Sequence, residues 1–222
     1  MPRAKSIIAI DGPAGAGKST IAKLVANKLK FLYIDTGAMY RALALKAKRI
    51  GADLEDSKLI TEIAKKTKIK LKYKNNKLTV ILDGENVSKE IRKPYVTDDV
   101  SEVAKIKEVR RIMTILQRKL AKNDNCVLEG RDIGTVVFPN ARYKFFLDAD
   151  FNERAKRRFV ELKAKKEIIK IKDVSNNLSK RDKIDSTRKI APLKRAEDAI
   201  YIDSTNLSIK EVTDTVLAWI KA

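Results

Sequence analysis

The residues best suited to chemistry are eight in a row: Gly12, Pro13, Ala14, Gly15, Ala16, Gly17, Lys18 and Ser19. They match G-x-x-x-x-G-K-[ST]. Gly12 and Gly17 let the backbone curl, so that successive N–H groups point inward at phosphate oxygens. Lys18 can reach the outer phosphates, and the Ser19 hydroxyl can ligate Mg²⁺. Thr20 leads into a run with helical apolar spacing, whose N-terminal dipole acts on the same anion. The spacing points to a bound nucleoside triphosphate and to phosphoryl transfer from its γ position. A ligand-free Gly-rich surface turn is the bland alternative; a strand before and a helix after weigh against it.

What accepts the phosphoryl must be read elsewhere. Asp35, Thr36, Gly37, Tyr40 and Arg41 sit where a second short strand ends, the edge at which open α/β sheets bind ligands. Thr36 and Gly37 could offer small donors to an anion. Arg41 could offer a guanidinium from the next helix, or be a plain surface arginine. Arg131 and Asp132, within Glu129-Gly-Arg-Asp-Ile-Gly134, follow a buried strand. Burying them unpaired would be costly, so they meet a ligand or pair with each other. Arg154, Arg157 and Arg158 share one helix and, taken singly, read as a solvated basic face. Arg181, Asp182, Asp185 and Arg188 lie on or just after the next helix, where the two carboxylates can fix the arginines. A mobile arginine-rich hairpin would deliver its charge to the transferring group only when closed.

These residues need a frame. Residues 6–11 and 31–35 read as short strands, 20–29 and 38–50 as helices, the second stopped near Gly51. Strand and helix alternating in this way predict an α/β fold with a parallel sheet. Residues 69–74 and 78–82 alternate with period two, with turns at 75–77 and at Asp83-Gly84, so 63–100 reads as a small antiparallel insert. Helical spacing returns over 103–120; 125–129 and 143–147 read as buried strands. Residues 151–166 and 174–183 read as basic helices, 199–202 as a last strand, and 208–220 as an amphipathic helix with Ser208 as N-cap and Glu211 three residues on.

Composition excludes several chemistries. The 222 residues contain no histidine and one cysteine, Cys126. Ser-His-Asp and Cys-His catalysis and the common zinc sites are therefore absent. The apolar run near the N-terminus, 7–10, is too short for a signal peptide or a membrane span, which sets the expectation of a cytoplasmic protein. The formal net charge of +20 fits an anionic partner or simply Lys-rich surface helices, and decides nothing alone.

In order along the chain, IDGPAGAGKST, YIDTGAMYRALAL, the antiparallel insert, VSEVAKIKEVR, LEGRDIGTVVFPNA, FFLDAD, RDKIDSTRKIAPL and YIDSTNLSI resemble the bacterial cytidylate kinases, a nucleoside monophosphate kinase family. The resemblance implies an α/β P-loop kinase with a five-stranded parallel sheet, the antiparallel insert and a helical lid over about 154–188, the core being about 1–62 and 101–222. It implies ATP as donor at residues 12–20 with Arg157, Mg²⁺ at Ser19, and CMP or dCMP as acceptor in a monomeric enzyme. It implies that Arg41, Arg131 and Arg188 hold the CMP phosphate, with Asp35 nearby, that Thr36, Ser101, Arg110 and Asp132 read cytosine, and that Asp185, Arg181 and Tyr40 meet the sugar. Lys18, Arg131, Asp132, Arg181, Asp185 and Arg188 are then the residues expected at the reacting groups. Lys183 and Ile184 fill two variable positions of the lid motif, which leaves phosphate contacts there to Arg181 and Arg188. Thr36 stands where some members have serine, and Ser101 could instead be an N-cap.

The base assignment also makes chemical sense on its own. A carboxylate can accept from the cytosine 4-amino group, and an arginine can donate to ring O2 and N3. Uracil would set its O4 against that carboxylate, leaving polar groups unpaired. A UMP kinase is the nearest alternative. A nucleic-acid-binding ATPase is the other; with 6% aromatic residues the chain lacks an obvious base-stacking strand.

Overall fold

The computed structural model describes residues 5–74 and 77–221; the turn expected at 75–77 lies, apart from Lys77, outside them. In chain order the elements are β1 (Ile7–Asp11), α1 (Lys18–Leu29), β2 (Leu32–Asp35), α2 (Thr36–Arg49), α3 (Ser57–Lys66), β3 (Ile69–Lys74), β4 (Lys77–Leu82), β5 (Glu85–Asn86), α4 (Pro94–Thr97), α5 (Val100–Ala104), α6 (Lys107–Leu120), β6 (Cys126–Gly130), β7 (Tyr143–Asp148), α7 (Phe151–Ala164), α8 (Ile171–Thr187), β8 (Ile200–Asp203) and α9 (Ile209–Lys221).

Five strands form a parallel sheet in the order β2-β6-β1-β7-β8. The apolar runs of β1 and β6 are buried along nearly their whole length, as strands covered on both faces must be. The register sets which loops meet: Asp11 pairs with Gly130 and Asp35 with Glu129. The loops after β1, β2 and β6 therefore leave the sheet side by side at its C-terminal edge. At Gly12, φ is 148° and a Cβ would lie 1.9 Å from the Leu147 carbonyl oxygen. Only glycine lets the chain turn off β1 so close to β7.

The second sheet is antiparallel, β3-β4-β5, with Ile69 opposite Leu82. Leu78, Val80 and Leu82 point inward, whereas Lys70 and Lys72 are exposed. The two-residue β5 and the helix α3 were not expected from the pattern. Asp56 caps α3 by accepting from the N–H groups of Lys58 and Leu59.

Two corrections bear on the site. The helix expected over 103–120 is two helices. Ile106 is extended (φ −72°, ψ 120°) and separates α5 from α6. Apolar spacing runs on through the break and hides it, because Ile106 is itself buried. Ser101 lies inside α5 and is not its N-cap; its hydroxyl instead reaches α8. Beyond β6, residues Ile133–Val137 form a single wide turn of π-helix, with Val137 N–H donating to the Asp132 carbonyl, a device common where a helix serves a site. Helices α7 and α8 pack against each other as a hairpin. The α9 cap is as expected: Ser208 Oγ accepts from Glu211 N–H, and Glu211 accepts from Ser208 N–H. Among the described residues no helix is long and apolar enough to cross a membrane.

Candidate active site

Two cavities flank the loop between β1 and α1. One, about 190 Å³, is lined by Ala14, Gly15, Lys18 and Ser19 on one wall. Asp35, Thr36, Tyr40, Arg41, Ser101, Arg110, Arg131, Asp132, Arg181, Asp185 and Arg188 make up most of the rest. The other, about 640 Å³, is lined by Gly15 through Thr20, Arg157, Ser204 and Ile209 among others. Every acceptor-side residue expected from the sequence meets in the first cavity. Gly12 and Pro13 line neither; they shape the turn.

Cationic side chains in the first cavity outnumber carboxylates nine to five, so the carboxylates cannot neutralise it. Their pairing is specific. Asp132 Oδ2 accepts from Arg110 Nη2 at 2.5 Å, with both side chains buried. Asp132 therefore does not pair with its neighbour Arg131. Arg131 Nε donates to Asp185 Oδ2 at 2.9 Å, and Arg188 Nη1 and Ser101 Oγ donate to Asp185 Oδ1. Burial would raise the Asp185 pKa, but Arg131, Arg188 and Arg181 outweigh it and hold the carboxyl below its usual range. Asp35 does two jobs at the start of α2: it accepts from Ala38 N–H at 2.8 Å and from Arg41 Nη2 at 2.8 Å. Its second guanidinium partner, Arg92 at 3.2 Å, comes from the segment beyond β5. Thr36 Oγ1 donates to the Glu129 carbonyl, so its hydroxyl hydrogen is engaged within the protein. Tyr40 is buried beneath Arg110, whose guanidinium lies 5.4 Å from the ring centroid; burial pushes the phenol up to about 12.

Several guanidinium nitrogens remain without a hydrogen bond among the described residues. Arg41 Nε, Arg110 Nε, Arg181 Nε and Arg188 Nη2 are buried and make no hydrogen bond among the described residues, although Arg188 Nη2 lies 3.8 Å from Asp132 Oδ1. Arg181 forms no ion pair among the described residues. Burial and the neighbouring Arg131 lower its pKa to about 10. Buried N–H groups are normally satisfied; four without a hydrogen bond around one cavity suit an anion and acceptor atoms. Lys18 Nζ, which donates to the Pro13 carbonyl, is likewise pushed down to about 7 by burial and by Arg131.

Asp185 orients Arg188 as expected, but Arg154 and Asp182 differ from expectation. Arg154 is not part of a solvated face. It is buried, donating to the Ala149 and Ala14 carbonyls and to Asp182 Oδ2 at 2.5 Å. Asp182 also accepts from Ala14 N–H at 3.4 Å, so it orients Arg154 rather than Arg181. Together they grip the phosphate loop at one residue. Arg158 faces the cavity and pairs with Glu161. Arg157 donates to Ser204 and to the Thr205 carbonyl, on the side of the larger cavity.

Three contributors were not singled out from the sequence. Glu129, the penultimate residue of β6, accepts from Ser19 Oγ at 2.8 Å and from Tyr33 Oη at 2.5 Å. Arg92 is the second. Asp11, the last residue of β1, is the third: it accepts from the N–H groups of Ile133 and Gly134, and burial raises its pKa to about 6. A strand-end acid before a Gly-rich turn was the available signal for Asp11 and Glu129; an isolated arginine offered none for Arg92.

A family model described as cytidylate kinase matches residues 8–222. A cytidylate kinase of Caldanaerobacter subterraneus subsp. tengcongensis is 53% identical over 209 residues, covering 94% of this chain and 92% of the relative. One of Caldicellulosiruptor bescii is 51% identical over 210 residues, covering 95% and 93%. Among solved structures, a shikimate kinase from Bacteroides thetaiotaomicron superposes with a TM-score of 0.50 at 13% identity over 99% of this chain and 100% of that one, a likeness of fold alone. With the family model spanning nearly the whole sequence and relatives above half identity, the chain belongs to the cytidylate kinase family.

Proposed function

We propose that this protein transfers the γ-phosphoryl of ATP to CMP, and to dCMP, by in-line displacement without a covalent intermediate. The observation that carries this reading is the buried Arg110–Asp132 pair. It sits in the cavity that also holds Lys18 of the phosphate loop, beside the unsatisfied nitrogens of Arg41, Arg110, Arg181 and Arg188. Asp132 can accept from the cytosine amino group while Arg110 donates to the ring. Arg41, Arg131 and Arg188 can hold the acceptor phosphate, and Asp185, with Arg181, can meet the sugar.

The acceptor phosphate already carries negative charge at neutral pH, so no strong base is needed. Catalysis then rests on positioning and on cationic stabilisation of the transferring group. Lys18 and the hairpin arginines supply the positive charge. The hairpin over about 154–188 acts as the lid, closing on the nucleotide to exclude water. The unit about 63–100 bears on the acceptor through Arg92.

The donor set beside Ser19 suits Mg²⁺: a hydroxyl and the Glu129 carboxylate are hard oxygen ligands. Mg²⁺ bound there would neutralise charge on the β- and γ-phosphates. A monomeric, cytoplasmic enzyme without a nucleic-acid partner completes the reading. The test is ADP release coupled to an indicator reaction, with CMP, dCMP, UMP and AMP offered in turn. Turnover of CMP and dCMP well above AMP and UMP is expected. Equal turnover of AMP and CMP would refute the base selection, and ATPase activity requiring single-stranded RNA would refute the acceptor class.

A further inference from the structure

We infer that Asp11 is a positioning residue that ties the acceptor-binding turn to the strand carrying the phosphate loop. This rests on the kinase reading above but assigns a role that reading does not contain. Asp11 touches neither cavity. Its two carboxylate oxygens are spent on one object. Oδ1 accepts from Ile133 N–H at 2.9 Å and Oδ2 from Gly134 N–H at 2.7 Å.

Those two N–H groups open the π-turn that follows Arg131 and Asp132. They are orphan donors of the kind found at any helix start. Asp132 itself, the residue before the turn, makes no side-chain cap, which leaves its carboxylate for Arg110. Asp11 supplies the cap from another strand, 122 and 123 residues away in sequence. The turn is held from below as well: Arg118 donates to the Val136 and Val137 carbonyls. Gly134 is wedged in place; a Cβ there would meet Lys144 at 3.2 Å and Asp11 Oδ2 at 3.4 Å. The next residue after Asp11 is Gly12, the first of the loop. The β1–β6 ladder sets Gly130 beside Asp11, and the Asp11 carboxylate pins the turn that presents Arg131 and Asp132 to the strand that runs into the donor-phosphate loop. In-line transfer depends on the placement of that turn against the loop.

The carboxylate is not there for an ion pair. Among the described residues neither of its oxygens contacts a cationic side chain, and burial is the largest influence on it. Its geometry, two acceptors facing two adjacent N–H groups, matches a carboxylate and cannot be reproduced by an amide. In Asp11→Asn one oxygen becomes an NH₂ group that confronts an N–H.

The experiment is steady-state kinetics of Asp11→Asn, full length, with ATP and with CMP, or with whichever monophosphate the unsubstituted enzyme turns over. The choice of acceptor separates a failure of this inference from a failure of the proposed function. Losing one hydrogen bond to a charged acceptor is expected to raise KM for the acceptor by about 10- to 100-fold. The preference for CMP over UMP falls with it, because Asp132 drifts. KM for ATP stays within about twofold, since the loop's own amides and α1 are untouched. A drop in kcat with unchanged acceptor KM and unchanged base preference would make Asp11 structural only and overturn the inference. So would an equal rise in both KM values. Gly134→Ala tests the same contact from the opposite side while keeping the carboxylate. It should shift acceptor KM in the same direction by a smaller factor; no shift in acceptor KM would count against the inference even if Asp11→Asn failed to fold.

Discussion

Asp132→Asn is nearly isosteric and isolates the charge of the proposed base reader. In the folded chain Asp132 is buried and bonded to Arg110 at 2.5 Å, with Arg188 Nη2 3.8 Å from its other oxygen. The asparagine keeps one acceptor oxygen and presents an NH₂ group with the other. If the oxygen stays on Arg110, the NH₂ group meets the base. Cytosine then sets its amino group against a donor and loses a hydrogen bond to a charged partner, about 1.5–3 kcal/mol. Uracil gains an acceptor-to-donor match of similar size. The CMP-to-UMP ratio of kcat/KM should therefore fall by about 3–6 kcal/mol in total, on the order of 10²- to 10⁴-fold. Stability should also fall, because Arg110 loses its formal counter-charge in a buried site, but a smaller folded fraction lowers both rates alike and leaves the ratio intact. The assay is coupled ADP release at fixed ATP, with CMP and UMP each varied. If CMP and UMP rates fall by the same factor and the ratio holds, Asp132 does not read the base and the assignment is wrong.

Three further outcomes come from the electrostatics. Arg181→Ala removes a cation whose pKa burial and Arg131 lower to about 10; thermal melts should show the ligand-free protein stabilised by about 1–2 kcal/mol while kcat falls by about 10²-fold or more. Arg154→Ala strips donors from two carbonyls and leaves Asp182 without its buried partner; urea titration should show a loss of about 2–4 kcal/mol, and KM for ATP should rise because Ala14 is no longer held. Asp11 has a folded pKa near 6 against 3.8, so the folded state binds the extra proton between these values. The wild type should therefore lose about 3 kcal/mol relative to Asp11→Asn as pH rises from below 4 to above 6; urea melts showing a constant difference over that range would contradict the burial of its charge.

Much of the site was legible because its residues stand at strand ends. Gly12 to Ser19, Asp35 to Arg41 and Glu129 to Gly134 come directly after or at the ends of β1, β2 and β6, and a parallel sheet brings those ends together whatever the loops do. The pairing within the site was not legible. Arg131 sits beside Asp132 in sequence, yet the backbone after β6 sends one side chain to α8 and the other to α6. Arg154 looked like a surface residue because its helix is basic throughout; its burial depends on the phosphate loop's carbonyl at Ala14, 140 residues away. The break at Ile106 left no mark because an extended apolar residue fits a helical spacing. Asp11 read as the polar end of a strand, and only the fold reveals the two N–H groups it meets.

The central claim is that this site takes a cytidine monophosphate as acceptor from ATP. The most direct measurement is a competition: equimolar CMP, UMP and AMP with limiting ATP and Mg²⁺, the diphosphates resolved by ³¹P NMR and chromatography. CDP is expected to form early, one per ADP released, exceeding both UDP formed and AMP consumed by at least about tenfold. Equal consumption of the three monophosphates, or ATP loss with no acceptor phosphorylated, would contradict the claim.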